Sequence, residues 1–318
     1  MNSCETLTLA DLCQYLKDND NYLVLTHASP DGDTLGSGAA LCLGLRALGK
    51  RAYLAENPEV TPKYAFLAEG LVKQQIGAED TLICVDTASR DLLGKYSFLA
   101  DKIALRIDHH GSAESFTGCE LVQPDKAACG EIIYAVLMQL GVALDRAMAN
   151  ALYTAISTDT GCFRFANTTA NTFYVAAKCM EAGAELFKIN NEQFMTTSLA
   201  KLRVQSYLVE NARFSQEGRV AVCALPLAAE RELGASEDDM ENISGFPRSI
   251  AGVKISATIR ENPDGLLKLS VRAVPGYDAA AVCAKFGGGG HKGAAGATFK
   301  MTMEEAVLAV EQAMPVTE

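Results

Sequence analysis

Short, unbroken apolar runs alternate with longer stretches of helical periodicity through the first part of the chain. Tyr22-Leu23-Val24-Leu25-Thr26 is apolar at nearly every position, the pattern of a strand covered on both faces of a parallel sheet. Runs of similar character fall at 51–55, 81–85 and 103–107. Around them the spacing predicts helices at 9–16, 34–48, 127–140, 146–157, 169–181 and 186–195, with Gly49 placed to end the helix before it. Strand alternating with helix predicts an α/β fold on a parallel sheet. A longer polar helix at 198–211 reads as a connector. Beyond residue 213 the pattern changes. It predicts a strand at 219–224, a hairpin of 252–260 and 266–274 around Asn262-Pro263-Asp264-Gly265, a helix at 278–285, a strand at 297–300 and a last helix at 303–314. The division expected is an α/β domain over 1–195, a helical linker over 196–213 and a smaller α+β domain over 214–318. A chain of 318 residues is long enough for two cores.

The polar groups that interrupt this pattern fall at the ends of the predicted strands. The first run leads into His27-Ala28-Ser29-Pro30-Asp31-Gly32-Asp33, the third delivers Asp86, and the fourth delivers Asp108-His109-His110. Another acidic stretch, Ser157-Thr158-Asp159-Thr160-Gly161, follows a predicted helix. In open α/β sheets, sites are built at the carboxyl ends of the strands. The chain has 4 histidines, His27, His109, His110 and His291, and each lies in a cluster of chemical rather than packing character. Ionisable groups gathered in this way mark functional sites.

Charge and composition narrow the partners. A net charge of −11 argues against a broad grip on duplex nucleic acid, yet leaves room for a small anionic substrate where metals dominate the local field. The 10 cysteines are scattered singly with no C-x-x-C pair, which argues against a structural zinc site and for a reducing, cytoplasmic setting. The N-terminal residues lack the basic-then-apolar pattern of a signal peptide. No apolar run approaches the ~20 residues that span a bilayer. Trp is absent and no aromatic ladder is evident, so a short ligand is expected rather than a long stacked strand. No segment reads as a dimer seam; monomer and homodimer both stay open.

His27, Asp31, Asp33, Asp86, Asp108, His109, His110 and Asp159 form a set of carboxylates and imidazoles without thiolate. Such a set suits a moderately hard divalent ion, Mn²⁺ first, with Mg²⁺, Co²⁺ or Fe²⁺ also compatible. A catalytic ion takes about three protein ligands, so this set fits two ions sharing a carboxylate. A pair ~3.5–4 Å apart suits phosphoester hydrolysis. Asp31-Gly32-Asp33 taken alone reads equally well as a turn and a helix cap. Near the other end, Gly287 to Gly290 precede His291 and Lys292. A glycine turn beside a helix start can hold phosphate on backbone N–H groups, and a flexible linker is the plainer reading of glycines alone. Arg272, at the end of a predicted strand, reads either as a phosphate contact or as a solvated surface group.

His27-x-x-x-Asp31-x-Asp33, Asp86, Asp108-His109-His110 and Asp159, in that order, resemble the motifs of the DHH phosphoesterase family. Gly288-Gly289-Gly290-His291, with Ala294-Ala295-Gly296, resembles the signature of the C-terminal domain associated with that family. The compact form is most similar to the NrnA-type oligoribonucleases. This resemblance implies a Mn²⁺-dependent phosphodiesterase, an exoribonuclease acting on very short RNA and dinucleotides such as pApA, or a phosphatase of 3′-phosphoadenosine 5′-phosphate. It implies His27, Asp31 and Asp86 on one ion, and Asp33, Asp86, His109 and Asp159 on the other, with a bridging hydroxide attacking in line. Asp108 would orient a ligand, and His110 would contact the scissile phosphate. Gly289, Gly290, His291 and Arg272 would hold the far end of the nucleotide, and a cleft between domains would measure substrate length. Arg272 is followed by Ala273, where such relatives often carry Ser. Two further readings remain: a nucleotide-binding or sensing protein without turnover, and a pyrophosphate or polyphosphate hydrolase.

Overall fold

The computed structural model describes residues 4–111, 115–240 and 242–314, and the chain divides into two compact units, Met1–Thr196 and Thr197–Glu318. In the first unit the elements are β1 (Glu5–Thr6), α1 (Leu9–Asp18), β2 (Tyr22–Leu25), α2 (Gly32–Ala47), β3 (Ala52–Ala55), α3 (Ala65–Ala68), β4 (Val72–Lys73), β5 (Thr81–Val85), β6 (Leu105–Asp108), β7 (Cys119–Val122), α4 (Cys129–Gln139), α5 (Arg146–Asp159), α6 (Ala170–Glu181) and α7 (Leu186–Asn190). The strands form one sheet in the order β1-β7-β6-β5-β2-β3-β4. Every neighbouring pair is parallel. This is the α/β architecture expected from the apolar runs.

Both faces of the sheet are covered, which is why its central strands are apolar throughout. Val24, Ile83, Leu105 and Ile107 pack with residues of α1, α2, α4 and α5. Leu23, Leu25, Leu82 and Cys84 pack on the other face against Leu93, Leu99 and Ile103, from and beside the 3₁₀ stretch Arg90–Lys102. Because β6, β5 and β2 are adjacent, their carboxyl ends deliver Asp108, Asp86 and His27 side by side. α2 packs closely on α5: a Cβ at Gly36 would collide with the carbonyl of Ala151 and with Ala155. That approach brings Asp33, near the start of α2, toward Asp159 at the end of α5.

Several local expectations are corrected. α2 starts at Gly32, two residues before the predicted start, because Asp31 caps it with bonds from the N–H groups of Asp33 and Thr34. α5 runs through Asp159, so that carboxylate ends a helix rather than lying in a loop. The helix predicted at 186–195 is α7 followed by a π-helical turn, Asn191–Met195. β7 gave no clear strand pattern.

The second unit contains α8 (Leu199–Glu210), β8 (Arg213–Ser215), β9 (Val220–Leu225), α9 (Leu227–Glu232), β10 (Ile255–Glu261), β11 (Leu267–Ala273), α10 (Ala279–Ala284), β12 (Gly289–Gly290), β13 (Ala294–Phe299) and α11 (Met303–Ala313). Its sheet runs β12-β13-β11-β10-β9-β8. β9 and β10 are parallel and the other pairs antiparallel, so this unit mixes sheet and helix in the α+β manner. One face carries Ile255, Leu269 and Val271 into a core with Val282 and Val310. On the other face, Val204 and Leu208 of α8 pack with Cys223 and Leu225, so α8 is part of this unit's fold. No helix among the described residues is long and apolar enough to cross a membrane.

Candidate active site

Asp86 lies at the centre of the carboxyl edge. It is 3% exposed and adopts φ +51°, a conformation that Asp tolerates better than most residues. Its N–H donates to the carbonyl of Ile107 at 2.9 Å. Three imidazoles surround its carboxylate. Oδ1 is 3.5 Å from His109 Nε2 and 3.6 Å from His110 Nδ1, and Oδ2 is 3.9 Å from His27 Nε2. Asp86 Oδ1 is buried and has no hydrogen-bond partner among the described residues.

The neighbouring groups are each fixed by a second contact. His27 Nε2 is 3.6 Å from Asp31 Oδ1, and its backbone carbonyl accepts from Asn57 Nδ2 at 2.9 Å. Burial opposes a charge on His27, but Asp31 and Asp86 outweigh it and hold the imidazole above its ordinary value. Asp33 is 1% exposed. Its carboxylate accepts from Ser37 Oγ at 3.0 Å and from the N–H groups of Cys129 and Gly130 at 2.7 and 3.0 Å. Those amides open α4, where the helix dipole favours an anion. Burial and the nearby Asp86 and Asp159 nevertheless push Asp33 well up.

His109 Nε2 faces three carboxylates: Asp33 at 3.7 Å, Asp86 at 3.5 Å and Asp159 at 3.7 Å. Its Nδ1 is 3.2 Å from the carbonyl of Lys126. A carbonyl only accepts, so Nδ1 carries hydrogen. Burial works against the imidazolium, but Asp86, Asp33 and Asp159 raise His109 to about 10. Burial, eased by His109 and reinforced by Asp86, raises Asp159 to about 6. The backbone carbonyl of Asp159 accepts from Asn167 Nδ2 at 3.1 Å.

Asp108 stands behind these groups, fully buried. Its Oδ1 accepts from the His109 N–H at 2.7 Å, the His110 N–H at 3.1 Å and His110 Nδ1 at 2.8 Å. Burial alone would raise its pKa, but these bonds to His110, the imidazole's charge and Arg106 hold the carboxyl below its ordinary value. The bond fixes His110 Nδ1 as donor, and the ring is 42% exposed.

Among the described residues, three groups of side chains have ligand atoms within 4.8 Å of one another: His27, Asp31 and Asp86; Asp33, His109 and Asp159; and Asp86, His109 and His110. Asp86 and His109 each belong to two of them. A buried carboxylate oxygen without a donor, amid further carboxylates and imidazole nitrogens, is the environment a divalent cation fits.

The remaining sequence candidates lie in the second unit. Arg272 of β11 turns Nη1 to the carbonyl of Val271 at 3.0 Å, and burial pushes its guanidinium below the ordinary value. Its neighbours across the sheet are Ser256 and Ala294. Gly289 and Gly290 form β12 against Gly296 and Ala295. The glycine run thus follows the end of α10 and enters a strand, rather than opening a helix. Gly290 takes φ +142°, and a Cβ there would meet the carbonyl of Ala294. His291 is exposed, and its N–H donates to the carbonyl of Ala294 at 2.8 Å.

Two family models match this chain: the DHH family N-terminal domain over residues 21–156 and the DHHA1 domain over 217–314. The chain is 33% identical over 282 residues to the bifunctional oligoribonuclease and PAP phosphatase NrnA of Thermus thermophilus, covering 87% of this chain and 83% of that protein. The chain belongs to the DHH family. The protein of the same description from Bacillus subtilis is 23% identical over 88% of this chain and 89% of its own. Among solved structures, an exopolyphosphatase-related protein from Bacteroides fragilis superposes with TM-score 0.83 at 25% identity, covering 96% of this chain and 94% of that one. The exonuclease RecJ bound to manganese shares the fold with TM-score 0.52 at 15% identity, covering 96% and 92%. As a DHH protein this chain is a hydrolase, a metal-dependent phosphoesterase.

Sequence reasoning passed over Arg106. It is 1% exposed and lies 3.5 Å from Asp108 Oδ2. The available signal was a charged residue inside an otherwise apolar strand. Asn57 and Asn167, which hold the backbones of His27 and Asp159, gave no such signal.

Proposed function

We propose that this DHH protein hydrolyses very short RNA, dinucleotides such as pApA included, and 3′-phosphoadenosine 5′-phosphate, with two Mn²⁺ ions as cofactor. The observation that carries the reading is Asp86, whose buried Oδ1 has no donor among the described residues and whose carboxylate joins the side chains around His27 to those around His109. Relatives across nearly the full chain carry the names oligoribonuclease and PAP phosphatase, which favours nucleotides over other phosphoesters. A net charge of −11 favours a short substrate in place of duplex DNA.

His27, Asp31 and Asp86 would hold one ion, and Asp33, Asp86, His109 and Asp159 the other. Held there, the metal would supply Lewis acidity and lower the pKa of a water toward neutrality. The chain's residues do the rest. The carbonyl of Lys126 fixes the His109 tautomer, leaving Nε2 as the ligand atom. Asp108 holds His110 by Nδ1, so that Nε2 is turned outward to meet a phosphate oxygen at the scissile centre. The bond to Asp108 and the charge of Asp86 raise His110 above its ordinary value against burial. This favours the imidazolium, whose Nε2–H can donate there and stabilise charge that develops during phosphoryl transfer. In this reading residues 1–195 are catalytic, 196–213 connect while packing through α8 on the second unit's sheet, and 214–318 bind substrate through Gly289, Gly290, His291 and Arg272. The protein works in the cytoplasm.

A second reading is supported by the exopolyphosphatase-related neighbour, namely hydrolysis of a phosphate chain without a base. One experiment separates them. Purified protein with Mn²⁺ is given a labelled RNA dinucleotide, a long RNA, 3′-phosphoadenosine 5′-phosphate, pyrophosphate and polyphosphate, with Asp86→Asn as control. Turnover of the dinucleotide or the bisphosphate, absent in Asp86→Asn, is expected. Turnover of the base-free chains alone would establish the second reading. Nucleotide binding with no turnover at all would sink both.

A further inference from the structure

A buried cation lies under the site and has no role in the chemistry above. Arg106 is 1% exposed. Side chains alternate across a strand, so Leu105 and Ile107 enter the helical core while Arg106 and Asp108 share the opposite face. A buried arginine costs about several kcal/mol unless matched. Glu120 is its register partner on β7, and Nη2 donates to Glu120 Oε2 at 2.5 Å. The hydroxyl of Ser115 donates to the other Glu120 oxygen at 2.8 Å.

The other contacts of the guanidinium lead into the site. Nη1 donates to the carbonyl of Thr87 at 3.4 Å and lies 3.5 Å from Asp108 Oδ2. Thr87 follows Asp86, whose left-handed backbone persists only where the surroundings fix it. Asp108 Oδ2 is buried and receives no hydrogen bond among the described residues. Arg106 is its ion-pair partner, while Oδ1 is fully occupied by the histidine pair. Without the guanidinium, buried Oδ2 would have neither a hydrogen bond nor an ion-pair partner among the described residues, and the carboxylate would gain by rotating away from His110. One side chain therefore ties the ends of β5 and β6 from below.

We propose that Arg106 is a positioning residue for phosphoester hydrolysis: through Thr87 and the Asp108 carboxylate it holds His110 with Nε2 turned to the substrate. The proposal rests on the reading that His110 meets the scissile phosphate. Arg106→Met combined with Glu120→Gln removes the buried cation and its counter-ion together. It is compared with wild type, with His110→Ala and with the combination of all three, using the Mn²⁺-loaded protein and an RNA dinucleotide. The paired variant is expected to melt cooperatively and keep the Mn²⁺-induced rise in Tm. Its KM should stay within about threefold while kcat falls about 10–100-fold, the scale on which a residue that orients a functional group from behind acts. On the His110→Ala background the same pair should cost less than about threefold, because residues acting as a unit are not additive. In metal-free protein the His110 Nδ1 proton resonance should broaden by exchange. Wild-type kcat, a full further loss on top of His110→Ala, or loss of Mn²⁺ stabilisation would each overturn the proposal. If the pair does not fold, Arg106→Lys decides: it keeps the charge but not the fork, and wild-type kcat in it overturns the proposal. His110→Ala with wild-type kcat would instead overturn the reading of His110 on which the proposal stands.

Discussion

His109 Nδ1 and the carbonyl of Lys126 are 3.2 Å apart, and this bond aims the other ring nitrogen at three carboxylates. Without metal, those carboxylates raise His109 to about 10 against the effect of burial. At neutral pH the ring therefore carries a proton that a metal ligand must lose. Mn²⁺ binding is expected to release about one proton or more near pH 7, and apparent affinity should rise by up to about tenfold per pH unit toward the His109 value. Calorimetry in buffers of different ionisation enthalpy measures the released protons. A binding heat independent of the buffer would refute the assignment of His109 as a ligand.

The same groups make the metal-free fold sensitive to alkali. His109 is raised to about 10 and Asp159 to about 6, and Asp33 is also raised. A group raised by folding binds more protons in the native state, so stability falls as pH rises through the shifted range. His109 stabilises fully below its unfolded value of about 6.5 and loses that contribution on the way to about 10. Asp31 and Asp108 are lowered. Their contribution is present above the unfolded carboxylate value and is lost only in acid. The Tm of metal-free protein should therefore fall between pH 6.5 and 10, and saturating Mn²⁺ should flatten or reverse that slope. A metal-free Tm that climbs over this range would contradict a raised His109.

Asp86 offers a substitution that separates charge from backbone. Asn tolerates the left-handed region nearly as well as Asp, whereas Ala does not. Asp86→Asn is thus expected to fold, with a metal-free Tm close to wild type, because relief of the carboxylate cluster is offset by the loss of attraction to three imidazoles. It should lose the Mn²⁺-induced rise in Tm, and turnover should fall by at least about 100-fold. Asp86→Ala should add about 1–2 kcal/mol of backbone destabilisation. Thermal melts with and without Mn²⁺, beside single-substrate kinetics, test this. An Asp86→Asn protein stabilised by Mn²⁺ like wild type would remove Asp86 from the metal site.

The strands that end in His27, Asp86 and Asp108 were legible because a parallel sheet covered on both faces makes its strands continuous apolar runs. Asp159 was read as a ligand candidate from its acidic stretch but misplaced as a loop residue. Thr160 bonds back to Ile156 through both its N–H and its hydroxyl, and this carries the helix to the end of the acidic stretch. β7 stayed hidden because Cys119-Glu120-Leu121-Val122 places a charge inward. That charge makes sense only beside Arg106, 14 residues away. Pairing between distant residues leaves no periodicity to read. The glycine run shows the same limit: its partners, Ala295 and Gly296, are set by sheet register, which local sequence does not encode.

Gly36 tests how far packing between helices shapes the site. It faces α5, where a Cβ would collide with the carbonyl of Ala151 and the backbone and side chain of Ala155. A carbonyl in a helix cannot move aside as a flexible side chain does. Gly36→Ala would normally favour a helix by about 1 kcal/mol, but here the collision should dominate and destabilise the fold by about 1–3 kcal/mol. Separating α2 from α5 would also draw Asp33 from Asp159, two of the three carboxylates that face His109. The variant should therefore bind Mn²⁺ more weakly, in addition to melting earlier. Urea unfolding and a Mn²⁺ titration report the two effects separately. A stabilised variant with unchanged Mn²⁺ affinity would show that α2 and α5 do not need this close approach.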